Sequence, residues 1–328
     1  MSKLVTIYGG SGFVGRYIAR RMAKAGWRVR VAVRRPNEAL HVKPYGVVGQ
    51  VEPVLCNIRD DASVRAVMQG ADAVVNCVGI LFETGRNKFD SVQSDGAGRI
   101  ARIAAEKGVA RLVHVSAIGA DAASDSLYQR SKAQGEELVR EHFANAVILR
   151  PSIIFGHEDQ FFNRFAGMAR FSPMLPVVGA STRFQPVYVD DVAAAAAKAL
   201  TEDVAPGIYE LGGPEIATFR ALMERMLLEI RRKRVLLNIP FPVANLMAGV
   251  LGMAQAVTLG LFTNSLLTRD QVRNLRRDNV VRDGAKGFAE LGITPTPMET
   301  VIPAYLWVHR PGGQYKAIHE SASQLRGD

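Results

Sequence analysis

The sequence has 328 residues, 48% of them hydrophobic, which is enough for one large α/β domain with a smaller lobe and excludes any need for metal or disulfide staples. Its formal net charge of +10 draws it toward phosphates, anionic membrane surfaces or acidic partners. No zinc-ligand spacing, RNA-binding aromatic signature or helix-turn-helix pattern accompanies that charge, so a nucleic-acid function is set aside.

The first strand is expected over 4–8, directly ahead of a glycine-rich turn. No charged-then-apolar leader precedes it, so the chain is expected to stay in the cytoplasm, where it is made. A helix over 13–25 places Val14, Ile18, Met22 and Ala25 on one face and Arg16, Arg20, Arg21 and Lys24 elsewhere, and Gly26 stops it. Strands over 28–33, 51–56, 73–78, 111–116 and 146–149 alternate with helical stretches, among them 97–107 closed by Gly108. Such alternation is the sequence form of a parallel sheet covered on both faces, a Rossmann-type doubly wound α/β fold. Cys56 and Cys77 each stand in an apolar, strand-like run, the pattern of buried reduced thiols.

After Pro151 the character changes. Gly- and Pro-rich loops occupy 171–186, an alanine-rich helix 190–200, a short strand 209–211 and a capped helix 218–230 that ends in Arg231, Arg232, Lys233 and Arg234. Residues 1–150 therefore read as the nucleotide-binding core, completed by parts of 185–212, and 151–328 as a mostly helical lobe for substrate or partner docking. Nineteen residues over 244–262 carry no charge, but Asn245, Gln255, Thr258 and three glycines dilute them below a membrane span. They read as a core helix, or as an apolar segment seated by its basic flanks through 231–277 against anionic lipid or a membrane complex. The tail 312–328 is polar and expected to be mobile.

The strongest motif is Gly9-Gly10-Ser11-Gly12-Phe13-Val14-Gly15, which follows a strand and opens a helix. Glycine permits the tight turn and the close approach of backbone to a pyrophosphate, whose charge the helix N-terminus receives. The second strand ends in Arg34 and Arg35, where an NAD-preferring site would hold a carboxylate for the ribose hydroxyl. Arginines there suit the 2′-phosphate of NADPH. Asn57 and Ile58, Val78 and Gly79, Ser116 and Pro151 follow or end later strands and belong to the same crevice. Tyr128 and Lys132 stand four apart, one helical turn, so that a lysine ammonium would favour the phenolate of a tyrosine that passes a proton while hydride moves. His41, His114, His142, His157, His309 and His319 show no metal spacing and read as structural or surface residues.

These residues resemble the short-chain dehydrogenase/reductase superfamily in its extended or atypical branch. The runs Arg150-Pro151-Ser152-Ile153-Ile154-Phe155-Gly156-His157-Glu158-Asp159, Phe165-Ala166-Gly167-Met168 and Gln185-Pro186-Val187-Tyr188-Val189-Asp190-Asp191 further resemble the nucleotide-binding accessory subunits of respiratory complex I and their bacterial relatives. That resemblance implies a tightly held NADPH serving structure more than turnover. It also implies a C-terminal lobe docked on complex I or another quinone-linked membrane complex, peripheral on the inner face of the energy-transducing membrane. By the same likeness Gly9, Gly12 and Gly15 carry the turn, Arg34 the 2′-phosphate, and Tyr128 and Lys132 the reactive pair. One departure bears on catalysis: Ala117 follows Ser116 where active relatives usually show a second hydroxyl, leaving Ser116, Ser124 or Ser126 as the relay. The readings that remain beside the accessory role are an active NADP-dependent oxidoreductase or epimerase, and a redox-sensing regulator.

Overall fold

A computed structural model describes residues 2–257 and 267–313. Seven strands form one parallel sheet: β1 (Leu4–Tyr8), β2 (Arg28–Val33), β3 (Val51–Leu55), β4 (Ala73–Asn76), β5 (Arg111–Val115), β6 (Val147–Pro151) and, joining later, β11 (Gly207–Leu211). Their order across the sheet is β11-β6-β5-β4-β1-β2-β3. The chain therefore winds outward in one direction from β1 to β3 and in the other from β4, and a crevice opens at the carboxyl ends of β1 and β4.

Alternation along each strand divides the core into two layers. Val5 and Ile7 face α1 (Phe13–Lys24) and α6 (Val189–Thr201), meeting Ile18, Met22, Val192 and Ala196. Tyr8, Val74, Leu112 and Ile148 face α3 (Asp95–Glu106) and α4 (Leu127–His142), meeting Ile100, Ile103 and Val139, with α2 (Asp61–Met68) alongside through Val64 and Met68. Gly26 and Gly108, at φ 80° and 66°, stop α1 and α3 as the sequence predicts.

Several boundaries differ from expectation for local reasons. β4 ends at Asn76 rather than Val78, because the Asn76 side-chain oxygen accepts from the Val78 amide (3.0 Å) and turns the chain out of the sheet. A π-helical turn over Asp90–Ser94 precedes α3, and α6 reaches one residue further at each end than 190–200.

The second lobe is more than helices. Its short pairings are β7 (Ile154–Phe155) with β10 (Val187–Tyr188) and β9 (Arg183–Phe184) with β12 (Ala217–Thr218). A longer parallel pair, β8 (Met174–Val178) with β13 (Val235–Ile239), runs through the stretch expected to be loop. Leu175 and Val177 point inward while Met174 and Pro176 point out, the alternation of an edge strand, where proline is tolerated. The helices α5 (Phe162–Phe171), α7 (Phe219–Glu229) and α10 (Met298–Leu306) enclose this lobe's own core of Phe162, Phe219, Met223 and Ile302. The uncharged segment begins as α8 (Phe241–Val257), followed among the described residues by α9 (Arg269–Asn274). Its positions 258–262, and 314–328 of the tail, lie outside the described residues. No described helix is long and apolar enough to cross a membrane.

Candidate nucleotide-binding site

β1 delivers the chain to Gly9, whose φ of 74° favours glycine and whose amide donates to the Ala32 carbonyl at 3.0 Å. Gly12 returns to the Gly9 carbonyl at 3.0 Å, closing the turn. A Cβ on Gly15 would stand 2.7 Å from the Gly10 Cα and overlap the Gly9 carbonyl, so only glycine lets α1 start this close to the strand. Gly12 caps α1 without a side chain, and the first turn holds no acid. The leading amides and the positive end of the dipole are thus left for an anion. Phe13 and Val14 turn their side chains into the core, Phe13 edge-on to Tyr17 at 6.2 Å, so what they offer the turn is backbone.

Beyond this turn lies a cleft of about 740 Å³, within the roughly 300–1,000 Å³ usual for ligand sites. Gly9, Ser11, Gly12, Arg34, Arg35, Asn57, Ile58, Val78 and Gly79 all line it, as their places at strand ends predict. Pro151 does not line it: it closes β6, where its carbonyl accepts from Ile118 at 3.0 Å. Arg34 reaches Asn87 Oδ1 at 3.3 Å and among the described residues meets no acid, whereas Arg35 pairs with Glu38 at 2.9 Å. Two further lining arginines, Arg16 and Arg59, and the imidazole of His41 escaped the sequence reading. Arg59 donates to the Arg86 carbonyl at 2.8 Å, and its place two residues after Asn57, on the loop leaving β3, is the signal that would have found it. His41 comes from a 3₁₀ segment over Pro36–Tyr45 with no motif to mark it.

α4 carries the proposed reactive pair. Lys132 is buried, and its ammonium donates to the Val115 carbonyl at 3.2 Å. The same ammonium lies 3.4 Å from where a Cβ of Gly79 would be, which brings it to the wall of the cleft. Burial pulls it down to about 8, against the attraction of Glu136. Tyr128 packs edge-on against Phe89 at 5.9 Å. Its phenol is pushed up to about 12, first by burial and then by Asp270, so the lowering that a neighbouring lysine was expected to produce is not what the structure holds. Asp270 comes from α9 and caps α4: it accepts from Ser126 Oγ (2.9 Å), the Leu127 amide (2.8 Å) and the Tyr128 amide (3.2 Å).

The three candidate relay hydroxyls all donate elsewhere. Ser116 donates to Glu136 Oε1 at 2.5 Å, Ser124 to Gln129 Oε1 at 2.6 Å and Ser126 to Asp270. Glu136 is in turn held by Arg150 at 2.6 and 2.9 Å, and Arg150 meets Glu210, which Arg282 also binds. Ser116 thus terminates a buried ionic network, its proton engaged by Glu136.

The other titratable groups are structural. Burial holds His114 down at about 3, and its Nδ1 accepts from the Asn76 amide at 3.1 Å. Cys77 is pushed up to about 12 and Cys56 to about 11, each mainly by burial, which keeps both thiols protonated. In the His157-Glu158-Asp159 loop, Asp159 oxygens accept from the amides of Gly156, Phe161 and Asn163 and from the Tyr305 hydroxyl, which fixes the start of α5.

These residues fit a dinucleotide. The turn is one that side chains would fill, the helix start is bare, and four arginines face a single acid across the cleft. Gln93 Oε1 is buried without a partner, 3.7 Å from the Cβ position of Gly79, where a polar ligand group would satisfy it. A family model described as the NAD dependent epimerase/dehydratase family matches residues 5–212. The Arabidopsis thaliana protein named NADH dehydrogenase (ubiquinone) 1 alpha subcomplex subunit 9, mitochondrial, is 35% identical over 94% of this chain and 79% of its own length. The Neurospora crassa NADH-ubiquinone oxidoreductase 40 kDa subunit is 30% identical over 98% of this chain and 84% of its own. In fold, the chain is similar to an Escherichia coli NADPH-dependent quinone oxidoreductase solved with NADPH, at a TM-score of 0.69 and 16% identity, covering 92% of this chain and 98% of that one. With a family model spanning more than half the chain and relatives of this identity covering nearly all of it, the chain belongs to the NAD dependent epimerase/dehydratase family.

Proposed function

We propose that the chain is an NADPH-binding accessory protein of respiratory complex I, or of quinone metabolism at the same membrane, in which the nucleotide serves architecture rather than turnover. The observation that carries this reading is the disposition of hydroxyls around Tyr128: Ser116, Ser124 and Ser126 each donate to another group, and the phenol is held above its ordinary value. A proton relay needs a donor within reach of a group poised to change state. Here the protons of those three hydroxyls are engaged elsewhere, and the phenol is held in its neutral, protonated form.

The rest of the site supports retention. The bare amides of the Gly9–Gly12 turn would hold a pyrophosphate, Arg34 and Arg59 a 2′-phosphate by charge-assisted hydrogen bonds, and Lys132 and Gln93 the polar groups near Gly79. NADPH, when bound, supplies a hydride. Partner docking is proposed for the second lobe, where α8 buries Ala244 and Ala248 but leaves Leu246, Val250 and Met253 at 70%, 56% and 63% exposure, with Arg232, Lys233, Arg234 and Arg276 on the flanking segments. We place the protein peripherally, on the inner face of the energy-transducing membrane. The test is to tag the protein in its own cell, solubilise membranes gently and identify what co-purifies. Complex I subunits in constant ratio are the expected result; a partner-free protein that turns over NADPH with a small carbonyl or quinone would give the role to an active reductase.

A further inference from the structure

A second cavity, of about 550 Å³, lies between the loop that holds Phe82 to Phe89, the start of α4, and the helices α8 and α9. α8 presses Ala244 and Ala248 against Val178 and Val272, and Gly249 and Gly252 fall on the neighbouring side of the helix, where they line the cavity. A Cβ on Gly252 would meet nothing within 4 Å, so the space there is open. Phe82, Phe89, Leu127 and Met253 complete apolar walls.

The charged groups at the rim are not equivalent. Glu83 is spent on Lys88 (3.4 Å) and on the Phe89 amide (2.9 Å). Asp270 is spent on the start of α4. Arg269 remains: its guanidinium lies over Gly249, where a Cβ would stand 2.6 Å from Nη2, and among the described residues it has no ion-pair or hydrogen-bond partner. Apolar walls of this size with one uncommitted cation at the mouth are complementary to a molecule that is mostly hydrocarbon and ends in an anion.

We propose that this cavity binds a long-chain amphiphile, its chain between α8 and the Phe82 and Phe89 wall and its anionic head at Arg269. Neither nucleotide nor partner is needed for this, so the proposal stands apart from the accessory role and can fail without it. The experiment uses the purified full chain and a fluorescent polyene fatty acid below its micelle concentration, with the methyl ester of the same acid as the uncharged probe. The acid should bind saturably, one molecule per chain. Gly252→Phe, which fills open space and leaves the melting temperature unchanged, should weaken both probes by about tenfold or more. Arg269→Gln should weaken the acid and spare the ester. Absence of saturable binding, or binding unaltered by Gly252→Phe, overturns the proposal. So does loss of binding in Leu246→Lys with Val250→Lys when Gly252→Phe retains it, since the chain would then lie on the outer face of α8.

Discussion

Arg34 and His114 show how much a single position can and cannot announce in sequence. Arg34 closes a strand after a glycine turn, and that place alone indicates a phosphate-facing cation; the structure puts it on the cleft with no acid against it among the described residues. Arg34→Asp should therefore weaken NADPH at least about tenfold more than NADH, the scale of one charge-assisted hydrogen bond at about 1.5–3 kcal/mol, as read by titration of each nucleotide. Equal weakening of both would remove the assignment. His114 is silent in sequence because nothing local shows that on β5 its ring will be sealed beside Asn76 of β4. Burial lowers it from 6.5 to about 3, so on acidification the unfolded chain takes up a proton first. Stability present above pH 6.5 is lost as pH falls from there toward 3, at up to about 1.4 kcal/mol per pH unit. Thermal unfolding should show a smaller drop between pH 7 and pH 5 in His114→Gln, which keeps an acceptor for Asn76; parallel curves would contradict a neutral buried imidazole.

At the scale of elements, the strands and the glycine-ended helices were legible because their signals are local: alternation, caps and positive-φ glycines. Gly15 belongs to this class. Gly15→Ala should cost about 1–3 kcal/mol through the clash with the Gly9 carbonyl, seen as a lowered melting temperature and loss of nucleotide retention. What the sequence hid were features made by distant partners. β8 read as loop because its strand partner among the described residues, β13, lies some sixty residues on and its outward positions include Pro176. The cap on α4 is hidden in the same way, since Asp270 and Tyr128 are 142 positions apart. Asp270→Ala should destabilise the protein by about 1–2 kcal/mol, as loss of a helix cap does, while Asp270→Asn, which keeps one accepting oxygen, should recover part of it in the same unfolding assay.

For the whole molecule, the buried chain from Ser116 through Glu136, Arg150 and Glu210 to Arg282 joins α4, β6, β11 and the segment that follows α9. It ties the nucleotide-binding sheet to the second lobe and absorbs the one strand-end hydroxyl that sequence reading assigned to catalysis. Arg150→Met would leave Glu136 buried without its cation, while Glu210 keeps Arg282, and should cost about 3–5 kcal/mol, which unfolding in denaturant would register. The network therefore holds the two lobes together through buried charge. The most direct test is the nucleotide content of the tagged protein isolated with its partners from gently solubilised membranes, followed by exchange against labelled NADPH. Near-stoichiometric NADPH that does not exchange, unchanged in Tyr128→Phe and accompanied by complex I subunits, is the predicted result. An empty or freely exchanging site in a partner-free protein would contradict a structural cofactor.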